Sequence, residues 1–111
     1  MFRDRLHQEI KIGDIILIGD THWLDFAVVR AIREKSFSVI DVADNHVWQN
    51  IDGKYTLVRT EGYSHRAKSF NISNRCLIIN DTMLLGLVDQ DYAKELKTVQ
   101  ATVLSNVQRN T

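Results

Sequence analysis

The residues of this chain that could carry out acid–base or metal chemistry are few, and they form no catalytic pattern. Four histidines and fourteen carboxylates are scattered along 111 residues. Asp20-Thr21-His22 and His46-Val47-Trp48 belong to neither a Cys-x-x-Cys nor a His-Glu-x-x-His metal pattern. Ser64-His65 lacks the Gly-x-Ser-x-Gly frame of a nucleophile, and the glycines form no phosphate-binding loop. We therefore expect no enzyme activity, no metal site and no cofactor.

A concentration of positive charge is the strongest functional signal in the sequence. Residues 54–75 hold five basic residues against one acid, a net charge of +4, although the whole chain is neutral. Cations displace counterions from phosphates and aromatic rings stack on bases, so this combination is typical of nucleic-acid binding. The side chains predicted to bind nucleic acid or another anion are Arg59, Tyr63, His65, Arg66, Lys68 and Arg75, with Trp48 nearby through a hairpin. The alternative is a solvated loop, with Tyr55 and Phe70 in the core.

Length and composition favour one globular domain inside the cell. A chain of 111 residues with 44% apolar and 25% charged residues is long enough for one core. It has no run of 18 apolar residues and no apolar N-terminal signal, so we expect a cytoplasmic protein that does not enter a membrane. Its single cysteine, Cys76, lies in an apolar run and is predicted to be buried and unreactive.

The segment from residue 12 to residue 80 has the pattern of a small antiparallel β-structure. Ile15 to Ile18 is a short apolar run bounded by Gly-Asp pairs, and further β-rich runs cover residues 24–33, 36–43, 46–51, 55–60 and 76–79. Short polar reversals separate them, of which Asp52-Gly53 is the strongest hairpin signal. A turn is predicted at residues 44–46, Glu61-Gly62 is predicted to end the strand over residues 55–60, and residues 63–75 are predicted to be irregular. Five or six short strands at this spacing favour a closed barrel.

The last part of the chain, residues 81–111, switches to a helical period. Apolar residues recur at steps of three and four from Leu84 to Val107, which predicts an amphipathic helix over residues 82–107. Asp81 or Thr82 is a candidate cap, and Asp89 could cap a second segment after Gly86. The helix is long for a small barrel, so we expect a homodimer formed through its apolar side. The residues predicted to self-associate are Tyr92, Leu96, Val99, Val103 and Val107. The alternative is that the whole helix packs on its own barrel, or that it frays after Gln100.

The Gly13-Asp14-Ile15-Ile16-Leu17 opening, followed by close-set strands, resembles the first strand of small barrels of the Src-homology type, including Tudor- and KOW-like modules. The resemblance covers residues 12–80 and implies an SH3-like fold; it identifies no site residue.

These patterns together predict a mainly β (α+β) fold. An N-terminal arm or short helix (1–11) precedes a small SH3-like barrel (12–80) and a C-terminal helix (81–111). The predicted function is a non-enzymatic binding module that binds nucleic acid through residues 54–75. The alternative is a protein-interaction or inhibitor module that oligomerises through its C-terminal helix and modulates a larger protein.

Overall fold

A five-stranded antiparallel sheet followed by two helices makes up the fold. The structure is a computed structural model that describes residues 1–19 and 24–109, with side chains up to residue 107. In chain order the elements are β1 (Ile15–Gly19), β2 (Leu24–Ile32), β3 (Phe37–Ile51), β4 (Lys54–Phe70), β5 (Cys76–Ile78), α1 (Asp81–Leu87) and α2 (Gln90–Arg109). Across the sheet the strands lie in the order β4-β3-β2-β1-β5, so the mainly β, antiparallel prediction is confirmed.

The sheet is open, and the predicted closed barrel is not confirmed. β4 and β5 lie at opposite edges of the sheet, whereas closure requires the two edge strands to pair. β5 has only three residues, and it pairs with β1. The two faces of the sheet are instead covered by different parts of the chain, the helices on one side and the N-terminal residues on the other. No SH3-like topology is shown.

The larger core lies between the sheet and the helices. Its buried members are Ile15, Val28, Val42, Ile79, Leu84, Ala93, Leu96, Val99 and Val103. The strand members point to one side of the sheet, and the α2 members recur at three- and four-residue steps, which places them on one side of that helix. Burying one Leu or Val side chain contributes roughly 1.5–3 kcal/mol. The apolar side of α2 therefore stabilises this chain's own sheet.

The second core lies on the opposite face and is closed by residues 1–11. Its buried members are Ile10, Ile16, Ile18, Ala27, Val29, Phe37, Val39 and Cys76. The Phe2 ring lies 5.0 Å from the Phe37 ring. The buried Asp4 carboxylate accepts hydrogen bonds from the backbone N–H groups of Leu6 and Gln8 at 2.9 and 2.8 Å, and from that of Ile78 at 3.0 Å. An isolated bridge joins Arg3 and Glu9, so these residues form an arm and the helix alternative is not formed.

β3 and β4 form one long hairpin that extends beyond the rest of the sheet. They pair from Phe37 opposite Phe70 to Ile51 opposite Lys54, across the predicted Asp52-Gly53 turn. β2 pairs with β3 only as far as Val42. Within the described residues, positions 46–59, which we call the projecting hairpin, therefore have no other strand beside them. The projection explains why the molecule measures 52 × 30 × 26 Å and has a radius of gyration of 15.5 Å, above the ~13 Å of a compact chain of this length.

A bulge lies at the base of the projecting hairpin, where the sequence predicted a turn in one strand and the end of the other. Asp44 pairs with Tyr63 and His46 pairs with Arg59, so residues 60–62 of β4 face a single residue, Asn45. Gly62 has φ +92°, which glycine adopts without strain. The turn predicted at 44–46 and the strand end predicted at 61–62 were therefore wrong, because β3 and β4 both continue through the bulge. Residues 63–70 form a strand, not an irregular segment.

The predicted C-terminal helix is divided in two. The Asn80 side chain accepts a hydrogen bond from the backbone N–H of Met83 at 2.8 Å and caps α1. Asp89 accepts one from the N–H of Tyr92 at 2.8 Å and caps α2, as the second-segment alternative predicted. Neither helix in the described part of the chain combines the length and apolar character needed to cross a membrane.

Candidate protein-docking surface

The basic segment, residues 54–75, is not a single patch. It comprises all of β4 and the loop that leads to β5, so its charges are spread along the longest strand of the molecule. Three of its six predicted contact residues are paired with acids from other elements: Arg59 with Asp44, His65 with Glu95, and Lys68 with two aspartates. Much of the positive charge seen in the sequence is therefore neutralised within the fold.

Lys68 lies between two carboxylates. Its Nζ is 3.1 Å from Oδ2 of Asp41, whose side chain is buried, and 3.6 Å from Oδ2 of Asp25. Partial burial lowers the pKa of Lys68, but the hydrogen bond and charge of Asp41, reinforced by Asp25, outweigh it and leave the pKa raised. Oδ1 of Asp41 has no hydrogen-bond partner. Lys68 is thus the counter-ion of a buried acid.

Arg59 and Tyr63 are held against the body of the protein. The Arg59 guanidinium donates to Oδ1 of Asp44 at 3.1 Å, and this hydrogen bond and charge raise its pKa. It also lies 6.0 Å from the centre of the Tyr63 ring. Tyr63 packs edge-on against Tyr92 at 5.3 Å, and the Tyr92 hydroxyl donates to the Val42 carbonyl. The predicted stacking residue Tyr63 is therefore half-buried beside the helix-side core.

The remaining predicted contacts are dispersed. His65 Nε2 is 2.7 Å from Oε1 of Glu95 on α2. Arg66 is exposed in the middle of β4, and Arg75 is exposed in the loop before β5. Neither arginine forms an ion pair with an acid in the described ranges. Trp48 lies on the projecting hairpin, away from both.

The residues predicted to self-associate are mostly buried within one chain. Leu96, Val99 and Val103 belong to the helix-side core, and Tyr92 packs against it. Val107 is half-buried. Self-association stays a prediction, but a second copy cannot reach the buried side chains while the fold is intact.

The projecting hairpin carries the densest group of exposed large apolar side chains. Trp48 is 67% exposed and Tyr55 is 75% exposed. The complete group is Val47, Trp48, Ile51, Tyr55 and Leu57. A hairpin with no neighbouring strand has no core of its own to bury them in. Exposure of this many apolar groups on one short element is typical of an interaction surface.

Both faces of the projecting hairpin are partly apolar. The pairing places Trp48 opposite Leu57 and Asn50 opposite Tyr55 on one face. Val47 lies opposite Val58 and Ile51 opposite Lys54 on the other. Only Asp52, Lys54 and Arg59 are charged at pH 7 with His46 neutral, and Arg59 is already paired. This surface is therefore mainly apolar with a weak positive charge.

The outer edge of β4 is open along the projecting hairpin. Asp52 and Gly53 have φ values of 51° and 82°, as a type I′ turn requires. In such a hairpin the flanking pair, Ile51 and Lys54, is hydrogen-bonded, and bonding alternates along the strand. The backbone N–H and C=O groups of Tyr55 and Leu57 consequently point away from β3. They are free to pair with another strand.

A cleft of about 490 Å³ lies at the other end of β4, beside the N-terminal core. It is lined by Ile18, Gly19, Asp25, Lys68, Phe70, Asn71, Ile72 and Arg75. The cleft brings Lys68 and Arg75 together, but the two carboxylates beside Lys68 already balance its charge.

Asp20-Thr21-His22 lies outside the described residues.

Candidate metal ligands and the Cys76 thiol are the remaining groups in the described ranges that the sequence singled out for chemistry. Those ranges hold no cluster of three or more histidine, cysteine or acidic side chains able to bind a metal. Burial raises the pKa of the Cys76 thiol to about 11, which keeps it protonated at neutral pH. Its burial was predicted correctly.

Sequence reasoning named Trp48 but missed its apolar neighbours on the hairpin. A signal was available in the apolar residues on both sides of Asp52-Gly53, because on neither strand do they alternate strictly with polar residues. Val47-Trp48 and Leu57-Val58 place apolar side chains on both faces, which is unusual for a strand with one buried face.

Comparison with known proteins adds no relative. The sequence matches no protein-family model, and no curated protein or solved structure is significantly similar to it.

Proposed function

We propose that this chain is a non-enzymatic binding module that docks on another protein through its projecting hairpin. The observation that carries the proposal is the group of five exposed apolar side chains on residues 46–59, an element with no core of its own. Burying side chains of this kind in a partner contributes roughly 1.5–3 kcal/mol each before the costs of association. Large aromatic residues such as Trp48 and Tyr55 are also the commonest anchors of protein interfaces.

Apolar contact outweighs charge on this hairpin. Lys54 is the one cation of residues 46–59 that has no ion pair with a described acid, because Arg59 is held by Asp44. Nucleic-acid affinity depends on several neutralised phosphates. The balance of apolar over charged groups therefore favours a protein partner for this element.

The test compares two double variants, each of which replaces two exposed large apolar side chains by alanine. Trp48→Ala with Leu57→Ala alters the hairpin, and Leu85→Ala with Leu87→Ala alters exposed positions on α1. Each chain is immobilised, and the proteins retained from an extract of its source cells are quantified by mass spectrometry. We expect the wild type and the α1 variant to retain the same partner and the hairpin variant to lose it. Equal retention by all three chains would rule out the hairpin as the docking element.

Nucleic-acid binding remains a second candidate, favoured by the two exposed arginines Arg66 and Arg75. Arg66→Glu with Arg75→Glu is the appropriate variant, because altering Lys68 would also leave Asp41 without its counter-ion. Fluorescence anisotropy of labelled DNA and RNA at several salt concentrations measures this activity. Binding that weakens with salt, by roughly 0.7–0.9 in the log–log slope per phosphate, and that the arginine variant abolishes would support this candidate.

A further inference from the structure

We infer that the partner of the projecting hairpin is a second copy of this chain, paired antiparallel through the outer edge of β4 around a two-fold axis at Thr56. The inference rests on the proposed function, because it names the occupant of the same docking element. It differs from the dimer predicted from the sequence, which used α2.

The edge of β4 has the backbone geometry that such pairing needs. Tyr55 and Leu57 direct their N–H and C=O groups outward, as the turn at Asp52-Gly53 requires. An antiparallel pair of identical edges related by a two-fold axis keeps the same face of each hairpin on the same side. Residues with outward groups then lie opposite each other, and Tyr55 can exchange hydrogen bonds with Leu57 of the second copy.

A register centred on Thr56 joins the apolar side chains of the two copies. It places Tyr55 beside Leu57 of the second copy. Within each copy, Trp48 on β3 lies next to Leu57 on β4. On one face of the resulting four-stranded ribbon, Trp48, Leu57 and Tyr55 of the second copy then form an apolar row across three strands, which ends at Asn50 on the fourth, and the two-fold axis repeats this row in the opposite direction. Aromatic–aliphatic cross-strand pairs of this kind stabilise antiparallel sheets.

The charges on the edge agree with this register. Lys54 lies opposite Val58 of the second copy, and Arg59 lies opposite Gly53, so no like charges face each other. The bulge at residues 60–62 distorts the strand beyond this stretch, and bulges and charges are devices that block edge pairing. The open, uncharged part of the edge is therefore confined to residues 55–58.

The contact is small, which sets the expected strength. A stable interface buries about 800 Å² on each partner, and weaker, transient ones bury less. The seven paired residues, 53–59, span roughly 23 Å at ~3.3 Å each. We therefore expect a dimer that dissociates on dilution.

Opposite charges placed on the axis test the register directly. In a dimer of Thr56→Asp, or of Thr56→Lys, the new charge of one copy would lie about 4.8 Å, the strand spacing, from the same charge on the other copy. Sedimentation velocity of the full chain should show the wild type moving from 12.8 kDa toward twice that mass as concentration rises. Each variant alone should stay monomeric, and an equimolar mixture should recover the dimer.

A matched control separates charge at the axis from damage to the hairpin. Gln49 lies opposite Thr56 on β3, so Gln49→Asp puts the same charge on the same face but about 14 Å from its symmetry mate. This variant should dimerise like the wild type. Circular dichroism and thermal melts confirm that all variants fold.

Three results would overturn the inference: a wild type that is monomeric at every concentration, single charge variants that dimerise like the wild type, or a mixture that remains monomeric. A monomeric wild type that still captures a different protein through the hairpin would refute the self-pairing and leave the proposed function intact. If the wild type is monomeric and no variant loses capture of a partner, both the self-pairing and the proposed function are refuted.

Discussion

At the residue scale, Lys68 shows why charge counted along a sequence is a weak guide to binding. In the sequence it belongs to a basic segment, but in the fold it neutralises Asp41, a buried acid on the neighbouring strand β3. Arg59 is similarly paired with Asp44. Single-sequence reasoning could not find these pairs because each depends on strand pairing between residues far apart in the chain.

Replacing Lys68 should reduce stability. Lys68→Met removes the counter-ion of a buried carboxylate, and we expect the free energy of unfolding to fall by about 1–3 kcal/mol, below the value for a fully buried pair because Lys68 is partly exposed. Urea denaturation followed by circular dichroism measures it. Adding Asp41→Leu removes the buried carboxylate that Lys68→Met leaves without a counter-ion. The double variant should therefore recover part of the lost unfolding free energy. No recovery in the double variant would contradict the ion-pair account.

The Cys76 thiol should make stability pH-dependent at alkaline pH. Its pKa is raised by burial from 9.0 to about 11 in the folded chain, so between these values the unfolded chain loses a proton that the folded chain keeps. The free energy of unfolding should therefore fall as pH rises from about 9 to 11. Urea denaturation at pH 8 and pH 10.5 tests this, and Cys76→Ala should show a smaller fall than the wild type. Equal falls in both chains would exclude the thiol as a cause.

At the element scale, the bulge at residues 60–62 decides where the sheet ends and the projecting hairpin begins. Asn45 Nδ2 donates to the Glu61 carbonyl and the Thr60 hydroxyl donates to the Asn45 carbonyl, both at 3.4 Å. The polar residues and Gly62 mark this place in the sequence, but they predicted a turn at 44–46 and a strand end at 61–62. A turn and a bulge use the same residue types, and only the pairing partner distinguishes them.

Two glycine substitutions should have opposite effects. Gly62→Ala puts a side chain at φ +92° and its Cβ 3.2 Å from Asn45 Nδ2, so we expect a loss of about 1–3 kcal/mol in unfolding free energy. Gly86→Ala lies in α1 with open space around it and should gain up to about 1 kcal/mol from helix propensity. Thermal melts of both variants provide the comparison. A neutral Gly62 variant would mean that the bulge is free to rearrange.

Strand lengths were the least predictable feature of the elements. Asp52-Gly53 correctly predicts the hairpin because its signal is local. Residues 63–70 look irregular in the sequence, yet they form a strand because residues 37–44 offer a continuous partner. Tertiary pairing here outweighs local propensity.

At the scale of the whole molecule, apolar burial explains why the sheet stays open. Ile15 and Ile16 alternate between two cores, and each core has its own cover, α2 on one side and residues 1–11 on the other. The helical period of α2 and the mainly β character were predictable from the sequence. The closed barrel could not be predicted from these two features, because the spacing of strands in a sequence does not reveal whether the edge strands meet.

The candidate site was only partly predictable from the sequence. Trp48 was identified from its type, but the group of exposed apolar side chains on residues 46–59 exists because β3 and β4 extend beyond the residues that pair with β2. Five exposed large apolar side chains thereby lie together on residues 46–59.

Residue-resolved amide hydrogen exchange, measured by NMR in dilute and concentrated solutions of the full chain, tests the central claim most directly. In dilute solution the outward amides of Tyr55 and Leu57 should exchange quickly, whereas those of Thr56 and Val58, bonded to β3, should be slower. In concentrated solution the protection of Tyr55 and Leu57 should rise. The account would be contradicted if the hairpin amides stayed unchanged while protection rose on α2 or around Arg66 and Arg75.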